Sequence, residues 1–274
     1  MKKILLVFFI LLNGISGWGQ CPVLTILHTN DTHSQIEPHD TKERKNVGGV
    51  LRRNTYIEEI RSQKTPLLLL DAGDFSQGTP YFNFFKGYAE IELMNKMGYD
   101  VVTLGNHEFD NGVEALGKRL IKARFKVVCA NYTFNDKKLS RKVKPYVIVK
   151  KRGLKIGIFG LTVDLQGLVS PAINKDVKYH NAIETARVIV PELKRKKCDL
   201  IICLSHLGIT QESEHNNVND STLAVAVGDI DIIVGGHTHY YMAQPKIING
   251  VRILQLNNGG MYIGKLDIYN KDEE

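Results

Sequence analysis

Cysteine is scarce in this 274-residue chain, and its placement excludes more than its number. Cys21, Cys129, Cys198 and Cys203 form no CxxC pair, which argues against a thiolate zinc site. Cys129 and Cys203 sit inside apolar runs and read as small buried hydrophobes. Cys198 and Cys203 share one short extended segment, too stretched for a disulfide between them. Long apolar runs are missing too. The run Ile4 to Leu12 has too few residues to span a bilayer as a stable helix. No internal repeat, low-complexity segment or Pro/Gly/Ser linker follows it, which predicts a single domain over residues 20–274.

Lys2 and Lys3 precede that apolar run, and Gly14, Ser16, Gly17 and Gly19 follow it. This is the pattern of a secretory signal over residues 1–19, with a buried N-terminal helix or strand as the alternative. The signal reading predicts export to the periplasm or the cell exterior, with a mature chain starting near Gln20 or Cys21. Cys21 could then carry a lipid, although Trp18-Gly19-Gln20 departs from a lipobox; contact with a membrane is expected only in that case. With Lys2 and Lys3 gone and no acid lost, the formal charge falls from +7 to +5. The basic runs Lys150-Lys151-Arg152 and Lys194-Arg195-Lys196-Lys197 read as solvated surface. No aromatic platform accompanies them, so nucleic acid is not an expected partner. A mild positive field still favours the approach of anionic substrates.

Strand-like and helix-like runs alternate along the chain. Strands are expected at Val23–His28, Pro66–Leu70, Val101–Leu104, Val127–Cys129, Tyr146–Val149, Leu154–Phe159, Leu200–Leu204 and Ile230–Val234. Helices are expected at Val50–Arg61, Ile91–Met97, Val113–Arg124 and Ala182–Lys194. The tail, Lys246–Ile248, Val251–Leu256 and Tyr262–Tyr269, reads as β-hairpins turned at Asn249-Gly250 and Asn258-Gly259-Gly260. Continuous runs such as "PLLLL" and "DLIICL" suit strands buried on both faces, so the fold class is α/β.

Five of these strands end in oxygen or nitrogen donors. "HTNDTHSQ" offers Asp31 and His33, "LLLLDAGDFSQG" offers Asp74, and "VVTLGNHEFDNG" offers Asn106 and His107. "DLIICLSHLG" ends on His206, and "DIDIIVGGHTHY" ends on His237 and His239. Each motif alone is ordinary: Asp-x-His can be a turn aspartate with a surface histidine, and Gly-Gly-His-x-His a tight turn. Together they fall where the loops of an open α/β sheet converge, and they hold five of the nine histidines. His28 reads as a satisfied core or near-site residue, while His39, His180 and His215 lie in polar surroundings and read as exposed. Carboxylate and imidazole donors without thiolate fit Zn, Mn, Fe or Co better than calcium. Two carboxylates, four histidines and an amide oxygen exceed the needs of one ion. They suit a pair about 3.5–4 Å apart, bridged by a carboxylate and a hydroxide.

The series Asp-x-His, Gly-Asp, Gly-Asn-His-Glu, a downstream His and Gly-His-x-His resembles that of the calcineurin-like metallophosphoesterases. The fuller forms "HTNDTHSQ", "DAGDFSQGTP", "LGNHEFDNG" and "GGHTHY" look like the 5′-nucleotidase branch, and the resemblance runs from about Leu24 to about Asp267. It implies a four-layer α/β/β/α sandwich with two divalent ions at the rim between the sheets. Asp31, His33 and His239 would hold one ion; Asn106, His206 and His237 would hold the other; Asp74 would bridge them. Some relatives carry Gln where His239 stands. His107 would face substrate as the catalytic imidazole, with Asp110 accepting its other ring N–H, and Asn106 and His107 would both touch substrate. Glu108 and Phe109 would serve structure.

The implied activity is release of phosphate from nucleoside 5′-monophosphates or related nucleotides, by in-line attack of a metal-held hydroxide. Hydrolysis of 2′,3′-cyclic nucleotides or of nucleotide-sugar pyrophosphates is the alternative within the family, and a non-catalytic subunit that kept the fold is the alternative outside it. Ser205 adjoins His206, but no G-x-S-x-G elbow supports serine chemistry. "GIFG" at 157–160 is too short for a dinucleotide fingerprint and reads as core strand. Relatives of this branch carry a C-terminal domain for base recognition. The implied partner is therefore a separately encoded nucleotidase domain, unless substrate choice is broader.

Overall fold

The computed structural model of the chain describes residues 4–5, 21–210 and 218–270. The expected signal over 1–19, apart from the backbone pairing of Ile4–Leu5, and His215 lie outside the described residues. In chain order the first part holds β1 (Ile4–Leu5), β2 (Leu24–Thr29), α1 (Val50–Ser62), β3 (Leu67–Asp71), α2 (Pro80–Phe85) and α3 (Tyr88–Met97). It continues with β4 (Val101–Thr103), α4 (Val113–Leu120), β5 (Lys126–Val128), β6 (Tyr132–Phe134), α5 (Lys137–Lys142) and β7 (Val143–Lys144). The second part holds β8 (Tyr146–Lys151), β9 (Leu154–Thr162), α6 (Pro171–Asn174), β10 (Val177–Tyr179), α7 (Ala182–Arg195) and β11 (Leu200–His206). It closes with α8 (Asp220–Ala226), β12 (Ile232–Gly235), β13 (Lys246–Ile248), β14 (Val251–Leu254) and β15 (Gly264–Asn270).

These strands form two large sheets, in the orders β1-β15-β2-β3-β4-β5-β7 and β13-β14-β12-β11-β9-β8. Within the first, β2 through β5 are parallel; within the second, β14, β12, β11 and β9 are parallel. The period-2 alternation of each strand then decides the layering. Leu24, Ile26, Leu68 and Leu70 point from the first sheet into one apolar layer shared with Ile158, Ile202, Leu204, Ile232 and Val234 of the second. Their neighbours point the other way. Leu27, Leu69 and Val102 pack beneath Ile57 of α1, Ile91 of α3 and Leu116 of α4. Ile201, Cys203 and Ile233 pack beneath Ala186 and Ile189 of α7 and Leu223 of α8. The result is helices, sheet, sheet, helices, the four-layer α/β/β/α sandwich. Full burial of each such aliphatic side chain is worth about 1.5–3 kcal/mol, which is why runs like "DLIICL" carry no polar residue until they reach the rim.

The main expected strands and helices form, with ends shifted by a few residues. "GIFG" lies within β9, and Cys129 and Cys203 are buried, with burial pushing the Cys129 thiol up to about 12. Helices of four to seven residues, such as α2, α6 and α8, were not anticipated, because they are too short to display a 3.6-residue period. The tail is corrected. Asn249-Gly250 does turn a hairpin between β13 and β14, but Asn258-Gly259-Gly260 does not. There the chain leaves the second sheet, and β15 pairs antiparallel with β2 in the first.

One buried acid belongs to this scaffold. Asp220, at the start of α8, accepts a hydrogen bond from Ser205 Oγ, and its backbone N–H donates to Gly208 O at 2.8 Å. Burial pushes its carboxyl up to about 7, against the pull of Ser205 and His206. A raised acid pKa means that the folded state retains a proton the unfolded chain releases near pH 4, so stability is lost as pH rises through about 7. In metal-free protein, the melting temperature should therefore fall more between pH 5 and pH 8 for the parent chain than for Asp220→Asn. Parallel curves would remove the buried acid from the stability balance.

Candidate metal centre

The donors expected from the sequence meet at the carboxyl ends of β2, β3, β4, β11 and β12. After β2, Asp31 and His33 adopt left-handed backbone angles, with φ 49° and 45°. Their N–H groups donate to Gly73 O at 2.9 Å and to Asp74 O at 3.0 Å, tying the β2 loop to the β3 loop. Asp74 (φ 54°), His237 (φ 79°) and His239 (φ 53°) share this conformation. It is sparsely populated by residues other than glycine, so such clustering stores strain at the site.

Two groups of side chains result: Asp31 with His33 and His239, and Asp74 with His206 and His237, each with donor atoms within 4.8 Å of one another. In the first, His33 Nε2 lies 2.9 Å from His239 Nε2, and Asp31 Oδ1 is 3.8 Å and 3.4 Å from these nitrogens. In the second, His206 Nε2 lies 3.0 Å from Asp74 Oδ2. It is also 3.8 Å from Asp31 Oδ1, so the groups adjoin. Asp31 and His206 are completely buried, and Asp74 is 2% exposed.

The surroundings orient the donors. The Ala72 carbonyl, 2.8 Å from His206 Nδ1, can only accept, so Nδ1 carries a proton and Nε2 is the atom turned toward the centre. Asn30 Nδ2 donates to Asp31 Oδ2 at 2.7 Å, and the His237 N–H donates to the same oxygen at 3.0 Å. Asn258 Nδ2 lies 3.0 Å from His239 Nδ1. At Gly236 an added Cβ would meet His206 Nδ1 at 2.9 Å and both Ala72 O and Asp31 Oδ2 at 3.0 Å, so only glycine admits this approach.

The charge balance points to cations. Burial and the neighbouring His206 push His237 down to about 4, and burial also lowers His33. His206 moves the other way, up to about 10, because Asp74 and Asp31 outweigh its desolvation. Asp74, although buried, is held well below the usual carboxylate range by His206. One atom completes the test of fit: Asn106 Oδ1 is buried without a hydrogen-bond partner. A buried amide oxygen left unpaired suits a divalent ion, and carboxylate and imidazole donors without thiolate suit a borderline one.

His107 stands at the mouth. Its Nδ1 is 3.0 Å from Asp110 Oδ2, and its ring centroid is 5.5 Å from that of His33. Burial would lower its pKa, but the Asp110 hydrogen bond and the charges of Asp74, Asp110 and Glu108 raise it above the ordinary value.

The other histidines divide. His28 is buried, with burial pushing it down to about 4, but its Nδ1 has no partner, so it is a core residue only incompletely satisfied. His39 and His180 are half-buried rather than exposed. The first belongs to a backbone bridge with Val47, and the second lies 2.9 Å from Thr133 Oγ1. Asn30 and Asn258 are supporting residues that the sequence reading did not select as part of the site, and Glu108 was assigned there to structure; the motif frame "HTNDTH" was the only trace of Asn30.

Comparisons with known proteins identify similar sequences and folds. The sequence profile of the calcineurin-like phosphoesterase family matches residues 24–241. A 5′-nucleotidase of Vibrio cholerae is 35% identical over 272 residues, covering 89% of this chain and 48% of the relative. An NAD 5′-nucleotidase of Haemophilus influenzae is 39% identical, covering 82% of this chain and 37% of the relative. The crystal structure of a 5′-nucleotidase precursor from Thermus thermophilus superposes with a TM-score of 0.77 at 34% identity, covering 88% of this chain and 50% of the other. The chain thus spans about half the length of these relatives, or less.

Gly236→Ala tests the close approach. The added methyl should displace Asp31 or His206 and leave fewer ions bound than the parent chain holds, with an unchanged far-ultraviolet circular dichroism spectrum. Undiminished metal content would show that the strand end tolerates the extra carbon.

Proposed function

The chain belongs to the calcineurin-like phosphoesterase family, and from that premise we propose that it is an exported two-metal phosphohydrolase of nucleoside 5′-monophosphates or related nucleotides. The observation that carries the proposal is the pair of adjoining donor groups, Asp31/His33/His239 and Asp74/His206/His237, with His107 beside them. Asp31, His33 and His239 would hold one ion, Asn106, His206 and His237 would hold the other, and Asp74 would serve both. Such ions, whether Zn, Mn, Fe or Co, would supply Lewis acidity and activate water near neutral pH.

The chain's own residues do the remaining work. Asp110 accepts the Nδ1 proton of His107 at 3.0 Å, which fixes the ring and favours its protonated form. The opposite edge of the ring is then free to donate from Nε2 to a phosphoryl oxygen or to the departing oxygen. The Asn106 amide, whose Oδ1 would go to an ion, would keep its N–H groups for the same phosphoryl group. A rigid rim of five strand ends holds these groups with little reorganisation during the reaction.

Residues 1–19 are the export signal in this proposal, and 20–274 form one catalytic domain, placed in the periplasm or outside the cell. Lipid attachment at Cys21 is a further possibility of the same reading. The relatives' additional length is where base recognition is sought.

Purified protein with Mn²⁺ or Zn²⁺ should release phosphate from AMP and from an aryl phosphate, and a chelator should stop both. His107→Ala should lower turnover by about 10² or more with both ions retained. Adding a C-terminal nucleotidase domain should raise the rate on AMP alone. Turnover of 2′,3′-cyclic AMP but not AMP would move the activity to phosphodiesters, and no hydrolysis by metal-loaded protein would defeat the reading.

A further inference from the structure

Glu108 lies in the short 3₁₀ turn His107–Phe109, completely buried beneath the site, and none of the expected metal or catalytic roles falls to it. Its carboxylate nevertheless accepts hydrogen bonds from two loops at once. Oε2 accepts from Asp74 N at 2.9 Å and from Gly105 N at 2.7 Å. Oε1 accepts from Ser76 N at 3.2 Å and from Ser76 Oγ at 3.1 Å. The bond is returned: Asp74 Oδ1 accepts from His107 N at 2.9 Å. The β3 loop and the β4 loop are thus locked together through the side chain of each on the backbone of the other.

The lock acts at the positions that matter. Asp74 sits at φ 54° behind Gly73 at φ 91°, a strained turn whose only local side-chain tie among the described residues is from Gly73 N to Asp71 Oδ1 at 2.9 Å. The Asp74 carbonyl in turn accepts from His33 N at 3.0 Å, so the bracket reaches the first donor group as well. At Gly105 a Cβ would fall 2.1 Å from Asp74 Oδ1, which shows how closely the loops are drawn. From below, the completely buried Arg119 of α4 donates to the Glu108 carbonyl and to Lys86 O, placing a cation beside the buried carboxylate.

We propose that Glu108 is a positioning residue for the reaction: its carboxylate brackets the β3 and β4 loops and so sets the separation of Asp74 from Asn106 and His107. The inference rests on the two-metal reading of the site. A residue that only stabilised the fold would lower the melting temperature and leave the ions and the turnover number alone.

Glu108→Gln keeps the size and removes two of the four acceptor positions; Ser76→Ala removes only the hydroxyl contact. Mn²⁺ binding isotherms, the Co²⁺ absorption spectrum, and kcat and KM for an aryl phosphate are measured on each folded variant. Glu108→Gln should weaken one Mn²⁺ site and lower kcat, each by about 10–100-fold, with KM nearly unchanged and an altered Co²⁺ spectrum. Ser76→Ala should stay within about twofold of the parent on all counts, because the Asp74 and Gly105 bonds remain. If Glu108→Gln fails to fold, Glu108→Asp carries the comparison, since it keeps the charge and withdraws it by one methylene. Normal binding of both ions and normal kcat in a merely less stable variant would overturn the proposal. Weakened Mn²⁺ binding in Glu108→Gln, with a parent protein that hydrolyses no phosphoester, would uphold the bracket and reject the phosphohydrolase reading.

Discussion

Two carboxylates and four imidazoles crowd one mostly buried rim, and the electrostatics of that crowding organise the rest of the molecule. His33 and His239 present Nε2 atoms to each other at 2.9 Å, and Asp31 and Asp74 are removed from water. Among protein groups alone, such an arrangement needs protons placed between the acids and bases, as the opposed shifts of Asp74 and His206 record. Divalent cations, which membership of the family implies, would do the same work with more charge. The sandwich supplies what the ligands cannot: five strand ends that reach the same edge, because the parallel strands of both sheets are packed against one apolar layer.

Holding the donors there requires backbone angles that side chains resist. Five of the candidate ligands lie at positive φ, and hydrogen bonds between loops help to offset the strain. Asp31 N to Gly73 O, His33 N to Asp74 O, His107 N to Asp74 Oδ1 and Gly259 N to Asp31 O each join segments remote in sequence. The rim is therefore a woven edge, and its rigidity is a property of the weave.

Sequence carried much of this plainly. The donors were legible because each follows an apolar run and stands in a spaced motif, and the strands were legible because burial on both faces leaves unbroken aliphatic stretches. The second tail turn was misread for a physical reason: Asn258-Gly259-Gly260 has the local chemistry of a hairpin, but the partner of β15 is β2, far back in the chain, and no local pattern encodes a distant pairing. The part played by Glu108 was hidden similarly. Its bonding is almost entirely to backbone N–H groups, which every residue possesses and no sequence displays. The half-buried His39 and His180 were read as exposed from polar neighbours alone, while the backbone bridge and the Thr133 contact that cover them are tertiary.

The crossing between the sheets has a consequence for how the protein comes into being. After β14 the chain passes over the site, where Leu256 N donates to Asn30 Oδ1 at 3.0 Å, Asn30 Nδ2 donates to Asn257 O at 2.8 Å, and Gly259 N donates to Asp31 O at 2.7 Å. Residues 30 and 31 emerge early from the ribosome, whereas the segment that seats them emerges more than two hundred residues later. The nascent chain therefore carries this rim unfinished through most of its synthesis, and closing it is among the most non-local events in folding. The docking of residues 256–259 onto residues 30 and 31 thus belongs to the end of assembly.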